Sequence, residues 1–208
     1  MSFQKITLID YGMGNLWSVV SALKYLNCEV EVSSDRLKIE NAEALVIPGV
    51  GSFRRGMNLI RELGIEESIL FSTKERKVKI LGICLGMQLM GIDSTEDGKT
   101  LGLNLIPAQV DKFSQNELGS LKLTHVGFDE VHCESDSILF NGIDDNRDFY
   151  FVHSYKMLPK DINGSLGICN YGIDFLASYE KDNIFATQFH PEKSQTNGLK
   201  LLENFLRF

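Results

Sequence analysis

Four short apolar runs, set apart by stretches of helical periodicity, restrict what this chain can fold into more than any other feature. KITLID (5–10), CEVEVSS (28–34), EALVIPG (43–49) and KILGIC (79–84) read as strands. Between the first two, Leu16, Val19, Val20, Leu23 and Leu26 recur at helical spacing, and further helical stretches occupy 53–63 and 66–77. Strands alternating with helices predict a mostly parallel sheet covered on both faces, because a parallel connection has to cross the sheet. The second half changes style. AQVDKF (108–113), HVGFDEV (125–131), RDFYFVHSYKM (147–157), SLGICNY (165–171), FLASYE (175–180) and IFATQFH (184–190) are closely spaced β-like runs, followed by a helical tail, TNGLKLLENFLRF (196–208). They are expected as antiparallel additions to the same core. No repeat, low-complexity segment or Pro/Ser-rich linker divides the chain, so the expectation is an α/β fold in one domain, 1–208.

Charge and cysteine usage narrow the function. The chain carries 21 Lys and Arg against 28 Asp and Glu, a net charge of −7, with no basic stripe to attract a phosphate backbone. Nucleic acid is therefore not an expected partner. No stretch approaches the ~18 apolar residues of a membrane span, and the acid in MSFQKITLIDYG falls where a signal peptide would continue its apolar segment. The expected location is the cytoplasm, with no membrane partner. Cys28, Cys84, Cys133 and Cys169 are scattered, without CxxC or a Cys/His cluster at ligand spacing, so neither a disulfide nor a metal site is expected.

GICLGMQ (82–88) places Cys84 between Gly82 and Gly86, where KILGIC ends and the helical pattern LGMQLMGI begins. This is the arrangement of a nucleophile elbow, a strained strand-to-helix turn that exposes its side chain and tolerates no Cβ nearby. A thiol there faces a helix N-terminus, which favours thiolate. On these residues alone a buried filler cysteine remains an equal alternative. A nucleophile needs a base. Of His125, His132, His153 and His190, the last stands at a strand end, with Pro191 stopping the ladder and Glu192 two residues on. His takes and returns a proton and the acid fixes its tautomer, so one turn supplies both partners.

Taken together, IDYGMGN (9–15), PGVGSF (48–53), GICLGMQL (82–89), FVHSY (151–155) and QFHPEKSQ (188–195) resemble the class I (triad) glutamine amidotransferases, over nearly the whole chain. Within them the order and spacing resemble the glutaminase subunits of imidazole glycerol phosphate synthase. The resemblance implies a flavodoxin-like α/β fold with antiparallel additions. It implies hydrolysis of L-glutamine without a cofactor and ammonia passed to a (β/α)8-barrel cyclase subunit in histidine biosynthesis. It makes Cys84 the nucleophile, His190 the general base and acid, and Glu192 the orienting carboxylate. Backbone N–H groups of Val50 and Leu85 would face the oxyanion, with Gly49 and Gly51 letting the Val50 peptide turn over. Gln88 and Glu96 would hold substrate glutamine, and Ser154–Tyr155 its α-carboxylate. Asn15 and Lys193 match positions that contact the cyclase, with Tyr150 expected nearby.

The residues also leave other readings open. Gln88 can be a helix-surface amide, Glu96 a solvated loop charge, Asn15 a helix N-cap and Lys193 a solvated charge. Where that family typically reads HMGWN, this chain has HVGFD, with Phe128 and Asp129 at or near the expected docking face, and Trp17 stands where a basic or polar residue is more usual. Those departures admit a paralogue that supplies ammonia to a cyclase-like partner amidating a surface sugar. Cysteine hydrolases on similar cores share an elbow but do not require GMQ, PGVG and FHPE together. A non-catalytic scaffold would have lost Cys84, His190 or Glu192.

Overall fold

In the computed structural model, which describes residues 5–133, 136–143 and 147–208, the apolar runs of the first half form strands. The first four residues of MSFQKITLIDYG lie outside the described residues. The first half runs β1 (Ile6–Ile9), α1 (Leu16–Tyr25), β2 (Val30–Ser33), α2 (Arg36–Glu40), β3 (Ala44–Ile47), α3 (Phe53–Glu62), α4 (Glu66–Leu70), β4 (Lys79–Ile83) and α5 (Leu85–Leu89). Then come β5 (Asp93–Ser94), β6 (Thr100–Leu101), β7 (Val110–Lys112), α6 (Gln115–Leu118), β8 (His125–Glu130), β9 (His132–Cys133) and β10 (Asp148–His153). The chain ends through β11 (Tyr155–Met157), β12 (Ser165–Tyr171), β13 (Ile173–Lys181), β14 (Ile184–Thr187) and α7 (Gln195–Arg207).

The main sheet has the order β2-β1-β3-β4-β14-β13-β12-β9. Its first five strands are parallel and the rest pair antiparallel. The opening order is that of flavodoxin-like sheets. β1, β3 and β4 are buried along their whole length, which their unbroken apolar runs require. Alternate residues serve opposite faces. Leu8, Val46 and Leu81 pack with Val19 and Leu23 of α1 and Leu201 and Phe205 of α7. Ile9, Leu45 and Ile80 pack with Phe53, Met57 and Ile60 of α3 and Leu89 of α5.

Three readings from the sequence are refined. The expected helix over 66–77 is α4 followed by a π-helical turn, Phe71–Glu75, within which Ser72 and Thr73 donate their hydroxyls to the Ile39 and Ile69 carbonyls. The run RDFYFVHSYKM breaks at Ser154. Its first half, β10, pairs with β8 in a separate two-stranded sheet, and its second, β11, joins β7, β5 and β6 in a third. Thus the antiparallel runs only partly extend the main sheet. Parallel β1, β3, β4 and β14 all point their C-terminal ends the same way, which brings Tyr11, Gly49, Cys84 and His190 to one edge. No helix among the described residues is long and apolar enough to cross a membrane.

Candidate active site

Cys84 adopts φ 54° and ψ −109°, a conformation that residues with a side chain rarely hold, directly between β4 and α5. The turn closes because its neighbours lack side chains. A Cβ on Gly86 would lie 1.8 Å from the Ile47 carbonyl oxygen, and one on Gly82 would lie 2.5 Å from Met90 Sδ. The Cys84 N–H donates to the Thr187 carbonyl at 2.8 Å, tying the elbow to the end of β14. The helical pattern after it ends at Leu89, so α5 is short.

From that same end of β14 the chain reaches His190. Its N–H donates to the Tyr150 carbonyl at 2.9 Å, its carbonyl accepts from Ser194 Oγ at 2.7 Å, and Pro191–Lys193 form one 3-10 turn. That turn sets Glu192 Oε1 at 2.8 Å from His190 Nδ1, with both side chains 3% exposed. His190 Nε2 is buried without a hydrogen bond of ordinary geometry, while Cys84 acts on the ring from close by. Burial pushes His190 down, but the Cys84 sulfur and the Glu192 carboxylate outweigh it and hold the ring up at about 9. A ring placed so can take the thiol's proton and remain charged beside the sulfur.

The two expected oxyanion donors are not both available in this conformation. The Leu85 N–H donates to the Gly49 carbonyl at 3.3 Å. The first N–H groups of a helix lack intrahelical acceptors, and the Gly49 carbonyl is the acceptor at hand. Gly49 is clamped: Tyr11 donates its hydroxyl to the Pro48 carbonyl at 2.8 Å, and a Cβ on Gly49 would lie 2.0 Å from that hydroxyl. Val50 beside it is 41% exposed, and Gly51 has φ +116°, which favours glycine. Cys84 itself is buried.

Gln88 is buried, unlike a helix-surface amide. Its Nε2 donates to the Tyr155 carbonyl at 3.1 Å and to Gln188 Oε1 at 2.9 Å. Gln188 Nε2 in turn lies 3.7 Å from Cys84 Sγ. Sequence reasoning passed over Gln188, and its sole signal is its place in QFHPE. Glu96 is not a free loop charge either, since Oε2 accepts the Phe53 N–H at 2.7 Å at the start of α3. Burial raises its pKa, against the pull of that N–H. Glu96 also faces Tyr155, whose phenol is raised by burial and then by Glu96 and Asp97. Ser154 Oγ is 2.9 Å from Thr124 Oγ1.

Three of the expected docking residues form one patch. The Phe128 and Tyr150 rings lie 5.5 Å apart, and Lys193 Nζ sits 5.7 Å from the Tyr150 ring centre. Asn15 caps α1, accepting the Ser18 N–H. Trp17 and Tyr25 of α1 line a surface groove with Glu192 and Gln195.

The sequence pattern of the family "Glutamine amidotransferase class-I" matches residues 7–207. Imidazole glycerol phosphate synthase subunit HisH 1 of Parasynechococcus marenigrum is 43% identical over 206 residues, covering 98% of each chain. The corresponding HisH 1 of Campylobacter jejuni strain RM1221 is 45% identical, covering 97% of this chain and 99% of its own. HisH of Moorella thermoacetica is 42% identical, covering 96% and 93%. Among solved structures, PurLQS from Thermotoga maritima superposes with a TM-score of 0.72 at 17% identity, covering 99% of this chain and 98% of that one. A crystal structure of a glutamine amidotransferase gives a TM-score of 0.69 at 20% identity, covering 97% of both. The structural likeness shows the fold, and the sequence likeness shows that this chain belongs to the class I glutamine amidotransferase family, in the branch of the imidazole glycerol phosphate synthase HisH subunits.

Proposed function

We propose that this chain is the glutaminase subunit of an imidazole glycerol phosphate synthase, acting in histidine biosynthesis as one glutamine amidotransferase domain in the cytoplasm. The observation that carries the reading is the meeting of Cys84, His190 and Glu192 in a chain with HisH relatives along its whole length. In this reading Cys84 thiolate attacks the side-chain amide carbon of glutamine, and the carbonyl electron pair moves onto oxygen. The tetrahedral intermediate collapses as the C–N bond breaks and ammonia leaves with a proton from His190. Water, deprotonated by His190, then cleaves the glutamyl thioester, releasing glutamate and the thiol. Glu192 keeps the imidazole in the orientation and tautomer that both proton transfers need.

The oxyanion has to be met by backbone N–H groups. With the Gly49 carbonyl on the Leu85 N–H, this conformation is a resting one, and the Gly49–Val50 peptide must turn over before Leu85 and Val50 can both donate. Ammonia is of use only as a neutral molecule kept from bulk water, so a second subunit has to receive it through a dry passage. A (β/α)8-barrel cyclase docked on Phe128, Tyr150, Lys193 and Asn15 fits that need. Gln88, Glu96, Ser154 and Tyr155, with Gly49 and Gly51, would hold the glutamine. The test is to purify the chain with the cyclase and identify what stimulates glutamine hydrolysis. Stimulation by the phosphoribulosyl intermediate of histidine synthesis is expected; a response only to an activated sugar would overturn the histidine assignment.

A further inference from the structure

A second line of titratable groups runs from the surface to the wall of the site. Asp129 Oδ2 lies 2.6 Å from His125 Nε2, His125 Nδ1 lies 3.1 Å from His153 Nε2, and His153 Nδ1 lies 2.7 Å from the Tyr155 carbonyl oxygen. His125 is fully buried, with its ring stacked on Phe151 at 4.6 Å and on Tyr171 at 4.1 Å, so it is held in place. Asp129 at the outer end is half-exposed beside Phe128.

Counting protons along this line gives a constraint. Its inner end is a carbonyl, which only accepts, and its outer end is a carboxylate, which only accepts when ionised. Three links need three protons, and two neutral imidazoles carry two. Switching either tautomer moves the gap without filling it. Burial drives His153 down to about 3, so its ring is neutral. Its Nδ1 donates to Tyr155, its Nε2 accepts, and His125 Nδ1 must donate to it. The missing proton therefore lies on the line between His125 Nε2 and Asp129. Burial lowers His125 on balance, with Asp129 pulling against it; what places the proton is the 2.6 Å contact itself, which a carboxylate and a bare ring nitrogen, both acceptors, would not make without one.

The Tyr155 carbonyl at the inner end is a junction, because it also accepts from Gln88, which connects through Gln188 to Cys84. We propose that Asp129 is a positioning residue: by keeping a third proton at His125 it holds His153 on the Tyr155 carbonyl and so sets the Ser154–Tyr155 segment for the α-carboxylate of glutamine. The last step rests on the glutaminase reading above; the proton line does not. The groups facing the pair are His153 on β10 and Cys169 and the stacked Tyr171 on β12, with Asp174 on β13 and His190 beyond them. Burial, with Asp129 and Asp174, pushes the Cys169 thiol up to about 12, so it stays protonated through the range in question.

Two variants separate a donor from a charge. In Asp129→Asn the amide can donate to His125 Nε2, completing three links without a labile proton. In Asp129→Leu nothing donates, and a buried imidazole nitrogen is stranded. Imidazole nitrogen NMR on the full chain should show His125 Nε2 protonated or sharing a proton in the wild type, and a bare acceptor in Asp129→Asn. A bare Nε2 in the wild type would overturn the proton line. The second readout is alkylation of Cys84 by a glutamine analogue bearing a diazoketone, resolved into binding and inactivation steps. Asp129→Leu is expected to weaken binding about tenfold with the inactivation step unchanged, the consequence of one unpaired buried polar group. Asp129→Asn should bind like the wild type at neutral pH and, unlike it, keep its affinity as pH rises. Equal pH dependence in the wild type and Asp129→Asn would overturn the positioning role even if Asp129→Leu does not fold. Absence of alkylation in every variant would sink the glutaminase reading, leaving the NMR arm to decide the proton line.

Discussion

His190 illustrates how three side chains set one another's chemistry. Burial alone would keep its ring neutral, yet the sulfur and the carboxylate hold it at about 9. In the proposed mechanism ammonia leaves on a proton from this ring, so hydrolysis should fail as pH rises through that value, giving an alkaline limb near pH 9 in the complex with a cyclase. A carboxylate raises a neighbouring imidazole, so Glu192→Gln should move the limb toward acid, and the His190 ring titration followed by NMR should move with it. An unmoved limb would mean that another group supplies the proton. At Cys84 the unfavourable backbone is maintained by close contacts on both sides, since Gly82 and Gly86 have no room for a methyl group.

Elements here are fastened to one another by buried polar anchors as well as by apolar faces. Glu180 on β13 is buried, and its carboxylate accepts from Ser137 Oγ, from the Ile138 N–H at 2.8 Å and from the Leu139 N–H at 3.1 Å. It therefore holds the 137–140 turn against the main sheet, next to the α7 face where Asn204 donates to the Leu139 carbonyl at 2.9 Å. Glu180→Leu leaves those donors without an acceptor and is expected to cost about 3 kcal/mol or more of stability. Urea unfolding of the two proteins measures it, and a loss under about 1 kcal/mol would show that water or a shifted turn satisfies them. In the same way Ser154 separates β10 from β11, its carbonyl accepting the Phe113 N–H at 3.1 Å where the chain changes sheets.

For the whole molecule, the question is what turns the resting site on. Cys84 is buried and the Leu85 N–H is occupied, while the proposed docking patch of Phe128, Tyr150 and Lys193 is joined to His190 by one backbone hydrogen bond, to the Tyr150 carbonyl. Glutamine turnover by the isolated chain is therefore expected to be low, at least about tenfold below that of the complex, since an oxyanion-hole donor is worth two to three decades in rate. Steady-state assays with and without the cyclase and its acceptor measure this. Robust turnover by the chain alone would show that the Gly49–Val50 peptide turns over without help.

Much of this molecule is written in local pattern. The strand–helix alternation implied the parallel half of the sheet, the paired glycines implied a tight turn at Cys84, and His-Pro-Glu implied a base beside its carboxylate, because each depends on residues a few positions apart. Other features depend on contacts between distant parts of the chain, where no local pattern reaches. The Gln188–Cys84 approach spans 104 positions and the Gln88–Gln188 bond spans 100, so both follow from the register of β14 against β4. The pairing of His125 with His153 follows from the register of β8 against β10. That the Gly49 carbonyl meets the Leu85 N–H depends on the orientation of one peptide, and only the packed structure around it sets that orientation.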